Sequence, residues 1–158
     1  METGKTLDEI TGAIVDAAVK LHQGLGPGLL ESVYESLLAQ ELGRRGFRAE
    51  RQKPISFEFD GLCFEEGFRI DLLVEGAVVV ELKSVEAVSS VHKKQLLTYL
   101  RLLRLPVGLL VNFGAATLRE GLSRIVNHLS PVESPHLRVN CASQDREFSA
   151  PSASLRGA

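Results

Sequence analysis

Apolar residues recur at helical spacing over the first 45 residues of the chain, with one interruption. Thr6 is a suitable N-cap for a first helix, and Glu9, three residues later, is its capping-box partner. That helix is predicted to end within 24–28, where three glycines and a proline disfavour helical backbone. A second helix is predicted over about 29–45. Its apolar stripe comprises Leu30, Val33, Tyr34, Leu37, Leu38 and Leu42.

The middle of the chain alternates between apolar and polar residues, as half-buried strands do. Residues 55–59 alternate in this way and run into Asp60-Gly61, a dipeptide typical of tight hairpins. Two more strands are predicted over 67–74 and 77–83, joined through Glu75-Gly76. Three consecutive strands are therefore expected after the two helices.

Helical spacing returns over 91–104 and is followed by an apolar run over 107–112, which predicts a third helix and a buried strand. The apolar positions of 117–128 also suit a helix, but Gly121 argues against one there. The predicted order is α-α-β-β-β-α-β with a short closing element. This order indicates an α/β fold.

Length and composition fit one domain with a tail. A chain of 158 residues that is 44% hydrophobic can bury a core without metal or disulfide support. From residue 130 onward Ser, Pro and Ala dominate without a regular apolar period, so we expect a domain over 1–129 and a flexible tail over 130–158. The net charge of −2 means that contact with nucleic acid requires a local basic patch.

The two cysteines, Cys63 and Cys141, share no C-x-x-C spacing. A four-thiolate zinc or iron–sulfur site within one chain is therefore excluded, and a disulfide framework is not expected. The first residues lack the pattern of a signal peptide, and no apolar run is long enough to span a bilayer. We expect a cytoplasmic protein that does not associate with membranes.

Candidate chemistry lies in the second and third predicted strands. Glu81 and Lys83 share one face of an otherwise apolar strand, where two charges are costly unless they are paired or bind something. A two-residue loop at Glu75-Gly76 would place Asp71 on the other face. A three-residue loop, or a bulge with Gly76 in left-handed conformation, would place Asp71 beside Glu81. We predict this second register.

Two adjacent carboxylates favour a cation between them, and hard oxygen ligands suit Mg²⁺ or Mn²⁺ rather than zinc. Lys83 beside them could stabilise developing negative charge or help to orient a water molecule. Such a group can hydrolyse a phosphodiester. The alternative is a cross-strand salt bridge on a solvated sheet face, either between Asp71 and Lys83 or between Arg69 and Glu81.

These motifs resemble those of the PD-(D/E)XK nuclease superfamily. Asp71 followed by Glu81-Leu-Lys83 resembles the motif that names it, with Ile70 in place of the proline. Gly28-Leu-Leu-Glu31-Ser-Val-Tyr34 resembles the name motif of the GxxExxY family within that superfamily. Further similar motifs are Gly67-Phe-Arg-Ile-Asp71, Gln95-Leu-Leu-Thr-Tyr99 and Asn112-Phe-Gly114.

The resemblance covers about residues 10–127 and implies a restriction-endonuclease-like αβββαβ core, a mixed central sheet flanked by helices, with an extra N-terminal helix. It implies a nuclease, a hydrolase of nucleic acid with DNA favoured over RNA. Asp71, Glu81 and the helical Glu31 would bind Mg²⁺ or Mn²⁺. Lys83 and Gln95 would complete the catalytic set. A carboxylate in the first helical turn also has a simpler explanation for Glu31, interaction with the helix dipole.

Substrate contacts are expected from residues near these motifs. Gln95 and Tyr99 lie one helical turn apart, share a face with His92, and resemble the QxxxY motif of related nucleases. Tyr34 is expected to bond Glu31 or a phosphate through its hydroxyl, with core packing as the alternative. The full set assigned to substrate is Tyr34, Arg69, His92, Lys94 and Tyr99.

A second basic group follows the second helix and could hold a nucleic-acid backbone, although such runs are commonly surface charge. It comprises Arg44, Arg45, Arg48, Arg51 and Lys53. A homodimer is a possible assembly. Two alternatives to a nuclease remain open: a catalytically silent nuclease-fold module that binds nucleic acid or protein, and a phosphoryl enzyme that does not act on polymers.

Overall fold

Helices and strands follow one another in the predicted order in residues 4–128 and 136–139, the part of the chain that the computed structural model describes. Two helices and three strands come first, then a helix and a strand, which confirms the predicted core. The elements are α1 (Leu7–Leu25), α2 (Glu31–Arg44), β1 (Ala49–Phe59), β2 (Leu62–Val74), β3 (Val78–Lys83), α3 (Ser90–Leu103), β4 (Val107–Asn112), α4 (Leu118–Gly121), β5 (Leu122–Val126) and β6 (Leu137–Val139).

The strands form one six-stranded sheet in the order β5-β4-β3-β2-β1-β6. All neighbours pair antiparallel except β3 and β4, which are parallel because α3 carries the chain back between them. The sheet is therefore mixed and flanked by helices, consistent with the expected restriction-endonuclease-like fold.

Each face of the sheet carries its own apolar core. Alternation along β3 sends Val80 and Leu82 to the core shared with α1 and α2, and Val79 to the core shared with α3. Glu81 and Lys83 have the parity of Val79, so they belong to the α3 face, as the strand pattern predicted.

The two N-terminal helices begin differently. In α1 the Thr6 backbone N–H donates to Glu9 Oε2 at 2.7 Å and the Glu9 N–H donates to Thr6 Oγ1 at 3.2 Å, the predicted capping box. In α2 the N-cap is Leu30, which is 74% exposed, and Val33 is also exposed. The predicted apolar stripe was wrong for these two residues, because it begins one turn later.

Tyr34 belongs to the core rather than to a substrate surface. Its side chain is buried, and its ring stacks on Phe113 at a centroid distance of 4.3 Å. Its hydroxyl donates to the Gly26 carbonyl at 2.6 Å and accepts from the Leu29 N–H at 3.2 Å. The substrate role predicted for Tyr34 is therefore wrong, since its hydroxyl instead ties the 24–28 loop to α2.

Tyr34→Phe should consequently destabilise the protein without impairing substrate binding. The change removes two hydrogen bonds between the buried Tyr34 side chain and the loop before α2, and we expect the free energy of unfolding to fall by about 1–3 kcal/mol. Urea unfolding measures the loss, and the KM for nucleic acid should stay at the wild-type value. A raised KM with unchanged stability would contradict this assignment and restore the substrate role.

The C-terminal elements show the structure of residues 117–128, for which the sequence pattern was ambiguous, and add the edge strand β6. Residues 117–128 contain one helical turn followed by β5, and Gly121 is required because a Cβ there would overlap the Asn112 carbonyl oxygen. Residues 137–139, expected in the tail, pair with β1 as β6. Apart from His136, which precedes β6, the other predicted tail residues lie outside the described part of the chain. Cys63 is disulfide-bonded, contrary to expectation.

Candidate active site

The turn between β2 and β3 brings the two predicted carboxylates together. It contains three residues, 75–77, and both Glu75 and Gly76 have left-handed backbone, with φ of 53° and 63°. The resulting register pairs Leu72 with Val80, which places Asp71 next to Glu81. The predicted register is confirmed.

The strands β2 and β3 separate next to Asp71 and Glu81. Beyond this point the two carboxylates, instead of backbone carbonyls, accept hydrogen bonds from the backbone N–H groups. Pairing between β2 and β3 extends to Leu72 and Val80. Beyond it, the Leu82 N–H donates to Asp71 Oδ2 at 2.9 Å, and the Asp71 N–H lies 3.4 Å from Glu81 Oε1. Backbone N–H groups thus hold both carboxylates at the point where the pairing of β2 with β3 ends.

The electrostatics of the pair favour one shared proton when no cation is bound. Burial, and then the negative charge of Asp71, raise the pKa of Glu81 from 4.5 to about 8, although Lys83 acts in the opposite direction. Glu81 is only 8% exposed, so its charged form is poorly solvated. A divalent cation would replace that proton.

Lys83 is half-buried beside the carboxylates, and its ammonium group forms no ion pair or hydrogen bond with any residue that the structure describes. Arg69 pairs instead with Glu66, at 2.7 Å from Nε to Oε1. Neither predicted cross-strand salt bridge, from Asp71 to Lys83 or from Arg69 to Glu81, is formed. The alternative that explained these charges as surface pairs was therefore wrong.

A cleft of about 520 Å³ lies beside Asp71 and is lined by two of the three acidic residues of α2. Glu31 lines it, exposed, with the Ser84 N–H 3.4 Å from its Oε1. Glu35, one turn later, also lines it but is buried. Glu81 contacts Asp71 without lining the cleft itself.

Glu35 and Gln52 form a link to Asp71 that the sequence analysis missed. The Gln52 amide donates to Glu35 Oε2 at 2.6 Å and to Asp71 Oδ1 at 3.3 Å. Gln52 can reach both because its backbone is left-handed, with φ of 47°, at a position opposite Asp71 in β1. One signal was available: Glu35 follows Glu31 by four residues, so both lie on the same face of α2.

The α3 residues approach the pair from the other side. Gln95 Nε2 donates to Tyr99 Oη at 2.9 Å, and the Tyr99 ring stacks on Phe68 at 4.5 Å. Burial, followed by the charge of Glu81, raises the pKa of Tyr99, which places its hydroxyl within the field of the carboxylates. The predicted Gln95–Tyr99 pair thus forms.

His92 and Lys94 lie on the first turns of α3. His92 Nδ1 accepts from the Ser89 N–H at 3.3 Å and so caps the helix, while Lys94 is exposed. Their predicted contacts with substrate stay predictions, as does that of Arg69.

A sequence model of the PD-(D/E)XK nuclease superfamily matches residues 8–125. The chain belongs to this superfamily. No curated protein and no solved structure matches it. Superfamily membership suggests a nuclease, a hydrolase that acts on phosphodiesters of nucleic acid. None of the described helices is long and apolar enough to cross a membrane.

The described part of this PD-(D/E)XK protein contains no group of three or more His, Cys, Asp or Glu side chains already arranged to hold a metal ion. Asp71 and Glu81 are two carboxylates in contact that could serve as ligands. Glu31 and Glu35 line the same cleft as Asp71 from α2. A further ligand from α2 would therefore require a side-chain rearrangement when the ion binds.

All five cations of the basic group after α2 form ion pairs in this nuclease-superfamily chain. Two glutamates of α2 and one of β1 partly offset their charge, and contact of this group with nucleic acid stays a prediction. The pairs are Arg44 and Arg45 with Glu41, Arg48 and Lys53 with Glu50, and Arg51 with Glu35.

The Asn112-Phe-Gly114 motif has a structural role next to the superfamily site. Buried Asn112 accepts from the Val85 N–H at 3.1 Å and from the Gly114 N–H at 3.0 Å, and donates to the Val85 carbonyl at 2.9 Å. A Cβ at Gly114 would overlap the backbone of Val85. These contacts fix the loop that follows Lys83 and so support the end of β3.

Proposed function

We propose that this protein is a metal-dependent nuclease of the GxxExxY type that hydrolyses phosphodiester bonds of nucleic acid, with DNA favoured over RNA. One observation carries the proposal. Asp71 and Glu81 meet where β2 and β3 separate, and the Lys83 ammonium, on the same strand as Glu81, has no ion-pair or hydrogen-bond partner among the described residues. An ammonium beside the carboxylates that is not committed to an ion pair is available to a phosphate.

The donor set fits a hard divalent cation. Two carboxylates in contact, one of them buried, offer oxygen ligands and excess negative charge, which Mg²⁺ and Mn²⁺ prefer. We assign Asp71 and Glu81 as ligands, and Glu31 as the ligand from α2, with Glu35 holding Gln52 against Asp71. When bound, the ion would polarise the phosphodiester and lower the pKa of the attacking water.

The remaining roles belong to side chains of the chain itself. Gln52 and the Leu82 N–H keep the Asp71 carboxylate in one orientation through the hydrogen bonds described above. The Lys83 ammonium stabilises the negative charge that develops on the phosphate oxygens. We assign Tyr99, whose hydroxyl is close enough to Glu81 and Asp71 to sense their charge, and its partner Gln95 to contact and orient the substrate.

Binding of the ion can be tested before activity is. Wild type in EDTA is compared by thermal and urea unfolding with wild type in millimolar Mg²⁺ or Mn²⁺. At an ion concentration 100-fold above Kd, we expect about 2.7 kcal/mol of added stability. Asp71→Asn should abolish the gain, whereas Asp16→Asn, which removes an exposed carboxylate from α1, should keep it. An equal gain in all three proteins would contradict the assigned site.

Activity is then assayed on labelled single- and double-stranded DNA and RNA with Mg²⁺, Mn²⁺ or EDTA. Metal-dependent cleavage that Asp71→Asn abolishes supports the nuclease, and the preferred polymer tests the choice of DNA. Binding without cleavage by folded, metal-bound protein would favour the catalytically silent module instead. Cleavage of nucleotides but not of polymers would indicate a different phosphoryl enzyme.

A further inference from the structure

A second cavity, of about 360 Å³, lies between the C-terminal end of α3 and the edge strand β6. It is on the α3 face of the sheet, where Leu103 and Val139 pack against the same apolar core. Three of its lining residues are arginines, and the other four are apolar. The lining residues are Arg101, Leu102, Leu103, Arg104, Leu137, Arg138 and Val139.

The three arginines differ from those near α2 because none has a partner. The side chains of Arg101, Arg104 and Arg138 form no ion pair or hydrogen bond within the described residues. The Nε atom of Arg101 is buried and lacks an acceptor. By contrast, all five cations of the group after α2 are paired with glutamates.

Three arginines without a counter-charge among the described residues line one cavity, and the buried Arg101 Nε–H without an acceptor costs free energy. The negative end of the α3 dipole can explain cations at Arg101 and Arg104. It does not explain Arg138, which comes from a different element at the sheet edge. An anion in the cavity would compensate all three groups at once.

We infer that this cavity binds a phosphate group of the nucleic-acid backbone, outside the proposed catalytic centre. Guanidinium groups match phosphate oxygens with paired, charge-assisted hydrogen bonds. The cavity has the size of a small ligand site. Tyr99 and two of the cavity arginines, Arg101 and Arg104, belong to α3 and its C-cap, so the cavity lies at the C-terminal end of the helix that carries Tyr99. The inference rests on the proposed function for the identity of the polymer.

The test measures binding of a labelled single-stranded DNA oligonucleotide by fluorescence anisotropy, in EDTA so that no cleavage occurs. The variant combines Arg104→Gln and Arg138→Gln, two exposed positions, because replacing the half-buried Arg101 risks misfolding. The matched control carries two exchanges outside the cavity, Arg119→Gln and Arg124→Gln, both at exposed arginines. Thermal unfolding in the same buffer confirms that each protein is folded.

We expect the cavity variant to raise Kd at least tenfold and to flatten the slope of log K against log salt by about 0.7, as for one lost phosphate contact on a single strand. The control should change Kd less than twofold. Equal losses in both double variants would overturn the inference, because general surface charge would then explain binding. An unchanged Kd in the cavity variant would overturn it as well.

Competition identifies the source of the phosphate. If AMP or pyrophosphate binds wild type stoichiometrically and displaces no oligonucleotide, the cavity holds a free phosphate compound and the assignment to the polymer is overturned.

Cleavage and binding measurements together also separate the inference about the cavity from the proposed nuclease function. Wild type that fails to cleave, but binds DNA through these arginines, supports the inference alone. Cleavage with an unchanged KM in the cavity variant supports the nuclease and overturns the inference.

Discussion

Lys83→Ala is expected to reduce kcat for nucleic-acid cleavage by about 10²–10³-fold, the usual cost of removing one group that stabilises transition-state charge. The ammonium is free of partners in the described structure, so it is available to the substrate. Its position two residues after Glu81 places it on the same face of β3. Single-turnover cleavage of labelled DNA in Mg²⁺ measures the loss directly.

Two comparisons separate catalysis by Lys83 from support of the metal site. The stabilisation of Lys83→Ala by Mg²⁺ should equal that of wild type, since lysine is no ligand. Lys83→Arg should keep part of the activity because it keeps the charge. Arg124→Ala, which removes one exposed cation from the edge strand β5, should cleave like wild type. An inactive Lys83→Ala that also loses the Mg²⁺ effect would show that Lys83 acts by organising the site.

The central acidic pair was predictable because it depends on local rules. Strand parity places Glu81 and Lys83 on one face, and a three-residue turn containing a left-handed Gly76 sets the register of Asp71. The order of helices and strands follows from hydrophobic spacing for the same reason. Strand parity, turn length and hydrophobic spacing depend only on neighbouring residues, so they can be predicted from a short stretch of sequence.

Features that depend on distant residues were missed. The Tyr34 hydroxyl is satisfied by the 24–28 loop, whose return to α2 no periodicity predicts. Glu35 and Gln52 meet only because β1 packs beside α2, with Gln52 in a left-handed conformation. The ion pairs after α2 were partly readable, since Glu41 and Arg45 are one helical turn apart. A run of cations therefore indicates a binding surface only after its acidic neighbours are counted.

Without metal, the stability of wild type should fall as pH rises from about 5 to 8, and Glu81→Gln should remove much of that fall. The pKa of Glu81 is 4.5 ordinarily and about 8 in the folded protein. Between these values the unfolded chain releases a proton that the folded protein retains, so each pH unit costs about 1.4 kcal/mol of stability. The stability that the protonated Glu81 contributes is fully present below pH 4.5, decreases as the pH rises to about 8 and changes little above that value.

Urea unfolding in EDTA at pH 5 and pH 7.5 measures this effect as a difference between proteins. Between these two pH values the free energy of unfolding should fall by about 3 kcal/mol more in wild type than in Glu81→Gln, because a neutral amide cannot ionise at the buried position. Glu65→Gln, which removes an exposed carboxylate from β2, should follow wild type. Mg²⁺ should oppose the fall in wild type by replacing the shared proton, and should have no such effect on Glu81→Gln. Parallel curves for wild type and Glu81→Gln would mean that Glu81 is ionised without metal, and that the acidic pair shares no proton.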